Sequence, residues 1–173
     1  MRRANFHYTS TAYFVASYNK PATILVALRG LLGEDVFMEA YRAFVRDWAY
    51  KLPTPYDFFN TFERISGRDL GWFWHSWYFE TWTLDQAIGA VTQREGEADI
   101  VIKDLGNMPM PVRLTVTLDD DSRLSVGLPA ETWLQGLREV AVTVTTPARI
   151  ARVEIDAERH FPDIDRDNNV WTQ

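Results

Sequence analysis

The spacing of apolar residues changes near Thr83, and this change constrains the fold more than any other feature of the sequence. Between residues 20 and 78, apolar side chains recur at intervals of three and four, which is typical of helices that bury one face. From Leu84 onward they alternate with polar residues or form β-branched runs, which favours strands. The sequence therefore predicts an α+β protein whose helices precede its strands.

Local signals mark the ends of the predicted helices. Pro21 fits a first helical turn, where its missing N–H costs nothing, and Gly33 ends that helix. Thr54 begins another helix through a capping box. The predicted helices cover about residues 20–32, 34–50, 55–66 and 70–78. Residues 1–17 show no clear period, and residues 7–11 are predicted to be loop. The inward stripe of the second helix is predicted to comprise Val36, Phe37, Ala40, Tyr41, Phe44, Val45 and Trp48.

The strand-rich part contains several short β-branched segments separated by turn signals. Asp119-Asp120-Asp121-Ser122 predicts a hairpin turn between two of them. Five to seven strands at this spacing favour an immunoglobulin-like β-sandwich without its cysteines. The predicted domains are an all-α helical part over residues 1–83, the β-sandwich over 84–157 and a polar C-terminal tail over 158–173. The predicted strands include residues 98–102, 112–118, 124–126, 140–144 and 150–155.

Composition excludes several classes of function. The chain of 173 residues is 46% hydrophobic and carries a net charge of −6, with a pI near 5.0. An acidic chain without a basic cluster argues against nucleic-acid partners. The absence of cysteine excludes disulfides and thiolate metal sites. No apolar run is long enough for a membrane span, and no signal-peptide core is visible at the N-terminus.

The order and spacing of several motifs over about 65 residues resemble one known family. The helical part resembles the C-terminal part of the catalytic domain of gluzincin zinc metallopeptidases of the aminopeptidase N family, and the strand-rich part is similar to the β-sandwich that follows that domain. The motifs are Tyr18-Asn19-Lys20, residues 28–37, Pro53-Thr54-Pro55-Tyr56-Asp57-Phe58-Phe59, Ser66-Gly67-Arg68-Asp69-Leu70 and Trp72-Phe73-Trp74-His75-Ser76-Trp77.

The resemblance implies a catalytic role for Tyr18. The corresponding tyrosine in the family donates a hydrogen bond to the oxyanion that forms when water attacks the scissile carbonyl, a contribution of roughly 3–4 kcal/mol. Pro21 stands where many relatives have glycine, which is compatible with a helix start. Tyr13 matches a second tyrosine that lines the substrate cleft in some relatives.

The zinc site of that family is missing from the sequence. The family binds zinc through His-Glu-x-x-His on one helix and a glutamate on the next. The three histidines are His7, His75 and His160, and none lies four residues from another. We therefore expect no metal ligands and no cofactor in this chain, zinc in the full-length parent, and no hydrolysis by this chain alone.

Ordinary structural roles compete with several of these interpretations. Tyr18 could simply pack its ring at a helix entrance, and Lys20 is interpreted as a surface or ion-paired residue. His75 is interpreted as a structural histidine with satisfied hydrogen bonds. Residues 163–169 resemble the start of a calcium loop, but they lack its glycine and are better interpreted as an Asx-rich turn. The aromatic residues predicted to form core rather than a sugar-binding platform are Trp72, Phe73, Trp74, Trp77, Tyr78, Phe79 and Trp82.

Two functions remain open from the sequence. The first is a C-terminal fragment of a zinc-dependent aminopeptidase, whose partners are a peptide substrate and the missing N-terminal catalytic half. Apolar faces that met that half would be exposed and would favour self-association. The alternative is a noncatalytic interaction or binding module made of a helical bundle and a β-sandwich.

Overall fold

The computed structural model describes residues 9–173 and has an α+β fold with antiparallel sheets. The chain divides into two compact units, a helical unit that ends at Thr81 and a strand unit that covers Trp82–Gln173. None of the helices in residues 9–173 is both long and apolar enough to cross a membrane.

The helical unit begins with one continuous helical run rather than with the predicted loop. Asn19 has helical backbone angles (φ −67°, ψ −52°), so the run continues without a break from residue 10 to residue 32. The prediction of loop was therefore wrong for residues 10 and 11, and residues 12–17, which show no clear period in the sequence, are also helical. The predicted helix over residues 20–32 is confirmed. The elements are α1 (Ser10–Phe14), a first π-turn (Val15–Asn19), α2 (Lys20–Leu32), α3 (Glu34–Trp48), α4 (Pro55–Ser66), α5 (Gly71–Trp74) and a second π-turn (His75–Phe79).

Capping chemistry sets the boundary of α4 as the sequence predicted. The Thr54 backbone N–H donates to the Asp57 carboxylate at 2.7 Å, which completes one half of the capping box. Gly67 ends the helix in the left-handed conformation, with φ 64°, which is strained for a residue with a Cβ atom. These contacts lie within a few residues of each other, so the local sequence determines them.

Aromatic rings form the core of the helical unit. Phe62 is fully buried, and its ring lies 5.5 Å from that of Phe37 and 4.6 Å from that of Phe58, centroid to centroid. Of the aromatic cluster predicted as core, Phe73, Trp74 and Trp77 are buried, whereas Phe79 and Trp82 are partly exposed. Edge-to-face and stacked ring pairs give this core its geometry.

The inward face of α3 is narrower than predicted. Tyr41 and Val45 are 40% and 54% exposed, so their assignment to the inward stripe was wrong. The buried face is centred on Phe37, Ala40 and Ala43. Ala43, which the predicted stripe did not include, is 2% exposed and belongs to the buried face.

The strand unit contains two antiparallel sheets. The order is β1-β2-β5 in the three-stranded sheet and β4-β3-β6-β7 in the four-stranded sheet. The strands are β1 (Gln86–Arg94), β2 (Glu97–Asp104), β3 (Val112–Leu118), β4 (Arg123–Leu128), β5 (Glu139–Thr145), β6 (Ile150–Ile155) and β7 (Val170–Thr172), and a short helix α6 (Glu131–Leu134) lies between β4 and β5.

Side chains from both sheets share one core. Every second residue of β2 and β3 is buried, among them Ile100 and Leu114. Trp133 of α6 belongs to the same cluster. This alternation is the pattern of strands with one face inward and one face outward.

The sequence missed the first and last strands. Residues 158–173 were predicted to be a polar tail, but Val170–Thr172 pair with β6, and a bridge joins Leu84 to Asp163. β1 was missed because few of its nine residues are buried, so its sequence does not alternate strictly between apolar and polar residues. Pairing with a neighbouring strand, rather than an apolar pattern, makes both segments extended.

Candidate functional site

Tyr18, the residue singled out by the sequence, lies in the first π-turn. It was expected at the entrance of a helix, but it lies inside a helical run that began eight residues earlier. The Lys20 backbone N–H donates to the carbonyl oxygen of Val15, five residues back, instead of the usual four. Tyr18 is therefore held on a locally widened turn.

Two other aromatic rings surround Tyr18. Its ring stacks on that of Phe14, with centroids 5.1 Å apart, and meets that of Tyr13 edge-on at 6.5 Å. The side chain is 56% exposed, and no described residue forms a hydrogen bond with its hydroxyl. Tyr13 is 38% exposed, so the structure brings the two candidate tyrosines together at the surface.

Two clefts of the described chain lie elsewhere. One, of about 340 Å³, is bounded by the end of α3 and by α4, including Trp48 and Arg64. The other, of about 140 Å³, lies on the strand unit and includes Arg113 and His160. Tyr18 lines neither of them. The phenol and these two clefts are therefore separate features of the described chain.

Lys20 has a more specific environment than the sequence indicated. Its side chain is half-buried, and Nζ donates to the backbone carbonyl of Glu80 at 3.3 Å. Burial lowers the pKa of Lys20. The interpretation as a surface or ion-paired residue was therefore wrong, because the partner is a backbone carbonyl sixty residues away.

The two histidines of the described chain, His75 and His160, belong to different units. His75 is exposed, and its Nε2 lies 3.3 Å from the Glu80 carboxylate, which is compatible with the expected structural histidine that has interaction partners. His160 lies in the strand unit, where Nδ1 is 3.2 Å from Arg113 and 3.3 Å from Glu158. His7 lies outside the described residues. In the part of the chain that the structure describes, no three His, Cys, Asp or Glu side chains form a group that could hold a metal ion.

The acidic segment at residues 163–169 is a series of Asx turns. Asp163 accepts a hydrogen bond from the Asp165 backbone N–H at 3.0 Å, and Asp165 accepts one from the Asp167 N–H at 3.1 Å. The other Asp163 oxygen accepts from the Gln86 N–H at 2.8 Å. These carboxylates are occupied by backbone donors and tie the segment to β1.

Asp104, at the end of β2, is the most strongly shifted acid in the described chain. Burial raises its pKa to about 6, although the Arg138 guanidinium 2.6 Å away acts in the opposite direction. One carboxylate oxygen, Oδ1, is buried without a hydrogen-bond partner among the described residues. Asp104 belongs to the strand unit, whereas Tyr18 belongs to the helical unit.

Comparison with known proteins connects the helical unit to one family. The model of the peptidase family M1 domain matches residues 4–77, which include Tyr13, Tyr18 and Lys20. No curated protein matches the chain.

A solved structure supports the likeness at the level of fold. The chain is similar to Legionella pneumophila aminopeptidase A, solved in complex with aspartic acid, with a TM-score of 0.65 and 20% sequence identity. The match covers 90% of this chain but only 18% of the aminopeptidase, so the chain spans less than a fifth of that protein's length. Residues 4–77 thus match the peptidase family M1 domain, and the chain as a whole is similar in fold to part of an aminopeptidase.

Proposed function

We propose that this chain is part of a zinc-dependent gluzincin aminopeptidase, in which Tyr18 stabilises the oxyanion formed during peptide hydrolysis. The observation that carries the proposal is the environment of Tyr18: it lies within the segment matched to the M1 family, it is 56% exposed, and its hydroxyl has no hydrogen-bond partner among the described residues. A phenolic hydroxyl can donate a hydrogen bond at neutral pH. A donor that is already placed before the reaction needs no reorganisation when charge develops on the substrate.

The residues of this chain do not fit the zinc site itself. No metal-binding group of His, Cys, Asp or Glu side chains exists in residues 9–173, and the sequence contains no His-Glu-x-x-His motif. In this proposal the zinc ligands, the general base and most of the peptide-binding cleft belong to polypeptide outside this sequence. The chain alone is then inactive, and Tyr13 is a second phenol beside the substrate.

The domain organisation forms part of the proposal. Residues 1–83 would be the helical end of the catalytic domain, and residues 84–157 an immunoglobulin-like β-sandwich that is completed by β7 from residues 158–173. The strand order supports this type of sandwich. In the constant-type immunoglobulin fold, one sheet contains the first, second and fifth strands, and the other contains the third, sixth and seventh. The groups β1-β2-β5 and β3-β6-β7 have the same arrangement. β4 differs, since it pairs with β3 instead of extending the sheet of β1, β2 and β5.

The test of the Tyr18 role is kinetic and uses the full-length protein that carries this sequence. Tyr18→Phe removes the hydroxyl and keeps the ring, so we expect kcat for a peptide substrate to fall by about 10²–10³-fold. Tyr41→Phe is the matched control, because Tyr41 is also partly exposed but lies on α3. Equal kcat values for the Tyr18→Phe enzyme and the parent would remove the basis of the proposal.

A second measurement tests where the metal binds. This chain, incubated with zinc and then desalted, should retain no stoichiometric zinc and should not cleave an aminoacyl reporter substrate. Stoichiometric zinc in the isolated chain would contradict the assignment of the ligands to other polypeptide.

One observation favours a second function, a noncatalytic interaction module. None of the residues 10–19 is buried, although Phe14, Val15 and Tyr18 are large and apolar. Such a surface suits a protein partner or self-association of this chain. Normal kinetics in the Tyr18→Phe enzyme, together with concentration-dependent sedimentation of the chain that Phe14→Ser abolishes, would support this alternative.

A further inference from the structure

The first π-turn coincides with a proline inside a continuous helical run. In a regular α-helix, residue 21 would donate its N–H to the carbonyl of Ser17. Pro21 has no N–H, and its ring would collide with that carbonyl. The helix widens immediately before the proline, where the Lys20 N–H reaches back five residues to Val15. The widened turn gives the chain a way to pass Pro21 without ending the helix.

The widened turn decides which side chains meet Tyr18. In an α-helix, neighbours on one face lie three or four residues apart. Tyr18 touches Phe14, four residues back, and also Tyr13, five residues back. The contact between Tyr18 and Tyr13 follows from the extra residue that the π-turn contains. The pairing of the two phenols is therefore a product of the π-turn.

Lys20 connects this turn to the end of the helical unit. Residues 10–19 bury no side chain, so packing does not hold the Tyr18 turn in place. Among the described residues, the first tertiary hydrogen bond after Tyr18 is the one from Lys20 Nζ to the Glu80 carbonyl, and Glu80 directly follows the second π-turn. The first fully buried residue of the run is Ile24, almost two turns after Tyr18.

We propose that Lys20 and Pro21 are positioning residues for Tyr18. Pro21 imposes the π-turn that places Tyr18 beside Tyr13, and the bond from Lys20 to the Glu80 carbonyl fixes that turn relative to the rest of the unit. This inference rests on the proposed function, because it assigns both residues to the orientation of the oxyanion donor. Neither residue touches substrate in this account.

The structural half of the inference is tested on this chain. Pro21→Ala restores the missing N–H, so the turn should become α-helical and the nuclear Overhauser contact between the Tyr13 and Tyr18 rings should be lost. Lys20→Met keeps the length of the side chain but removes the donor, so amide exchange over residues 15–20 should accelerate by about tenfold. Lys20→Arg retains a donor and should exchange nearly as slowly as the parent. Far-ultraviolet circular dichroism checks that each variant keeps its helices.

The functional half is tested in the full-length protein. Lys20→Met and Pro21→Ala should each lower kcat by about tenfold or more, because small displacements of a catalytic group are costly, and Lys20→Arg should recover most of the loss. Unchanged ring contacts, exchange rates and kcat in both variants, with Tyr18→Phe still impaired, would overturn this inference alone. Normal kcat in Tyr18→Phe would overturn the proposed function, and the positioning role with it.

Discussion

The strand unit and the start of the helical unit use their apolar residues in opposite ways. In β2 and β3, every inward side chain is buried in a core shared by two sheets. In residues 10–19, apolar side chains of similar size lie at the surface and bury nothing. The apolar residues of β2 and β3 therefore stabilise the fold by burial, whereas those of residues 10–19 contribute little to it within this chain.

Folding explains the apolar residues of the strand unit, but it does not explain the exposed apolar residues around Tyr18. The strand unit satisfies its hydrophobic pattern internally, so its sequence is explained by folding. The helical run around Tyr18 is not explained in that way, and it lies within the segment matched to the peptidase family. Segments that serve binding are commonly drawn from the less stable parts of a fold.

The largest expected effect concerns the aromatic core of the helical unit. Phe62→Ala removes a fully buried ring that packs against Phe37, Phe58 and Trp74, so we expect a loss of about 3–5 kcal/mol in the free energy of unfolding. Urea denaturation followed by circular dichroism at 222 nm measures this helical transition. Leu52→Ala is the control, since Leu52 is almost fully exposed and should change the free energy by less than about 0.5 kcal/mol. Equal effects of the two substitutions would refute the assigned core.

The next effect tests the core between the sheets. Val116→Ala leaves a cavity at a residue with 0% exposure on β3 and should cost about 2 kcal/mol. Thr117→Ala, at the neighbouring outward position on the same strand, should cost less than about 1 kcal/mol. Hydrogen exchange of the β2 and β3 amides reports this loss separately from the helices. A smaller effect for Val116→Ala than for Thr117→Ala would reverse the inward and outward faces of β3.

A pH-dependent effect comes from Asp104 in the strand unit. Its pKa is about 6 in the folded chain and near 3.8 when unfolded, so the folded state holds the proton more tightly. Stability from this group is therefore complete below about pH 4 and is lost as the pH rises through 6. We expect the parent to lose about 1–2 kcal/mol across this interval relative to Asp104→Asn.

The measurement for Asp104 is a series of urea titrations between pH 4 and 7. Glu95→Gln is the control, because Glu95 lies exposed in the turn between β1 and β2 and should leave the pH dependence unchanged. A parent and an Asp104→Asn variant with parallel stability curves would show that this carboxyl does not titrate with a raised pKa.

The smallest effect completes the comparison of the two regions. Val15→Ala is the same chemical change as Val116→Ala, but Val15 is 47% exposed in the first π-turn. We expect a change of less than about 0.5 kcal/mol in the unfolding free energy of this chain. The same urea titrations measure it. A loss as large as that of Val116→Ala would mean that residues 10–19 belong to a core after all.

The predictable features of the fold are those with short-range causes. The capping box at Thr54 and the glycine that ends α4 depend on atoms a few residues apart, and both were predicted correctly. The central strands β2, β3 and β6 were recognisable because burial on one face imposes alternation. β7 and α1 lack this alternation, since β7 is only three residues long and α1 contains no buried residue.

The sequence by itself determined the α+β class, the family likeness around Tyr18 and the absence of a His-Glu-x-x-His zinc motif, because each is carried by residue types at fixed spacing. Only the tertiary structure decided that Tyr18 lies within a continuous helix beside Tyr13 and that Lys20 bonds to the Glu80 carbonyl. The physical reason is that a proline predicts a disturbance of the helix but not its form. The partner of Lys20 lies sixty positions away in the sequence, so no local pattern could have indicated it.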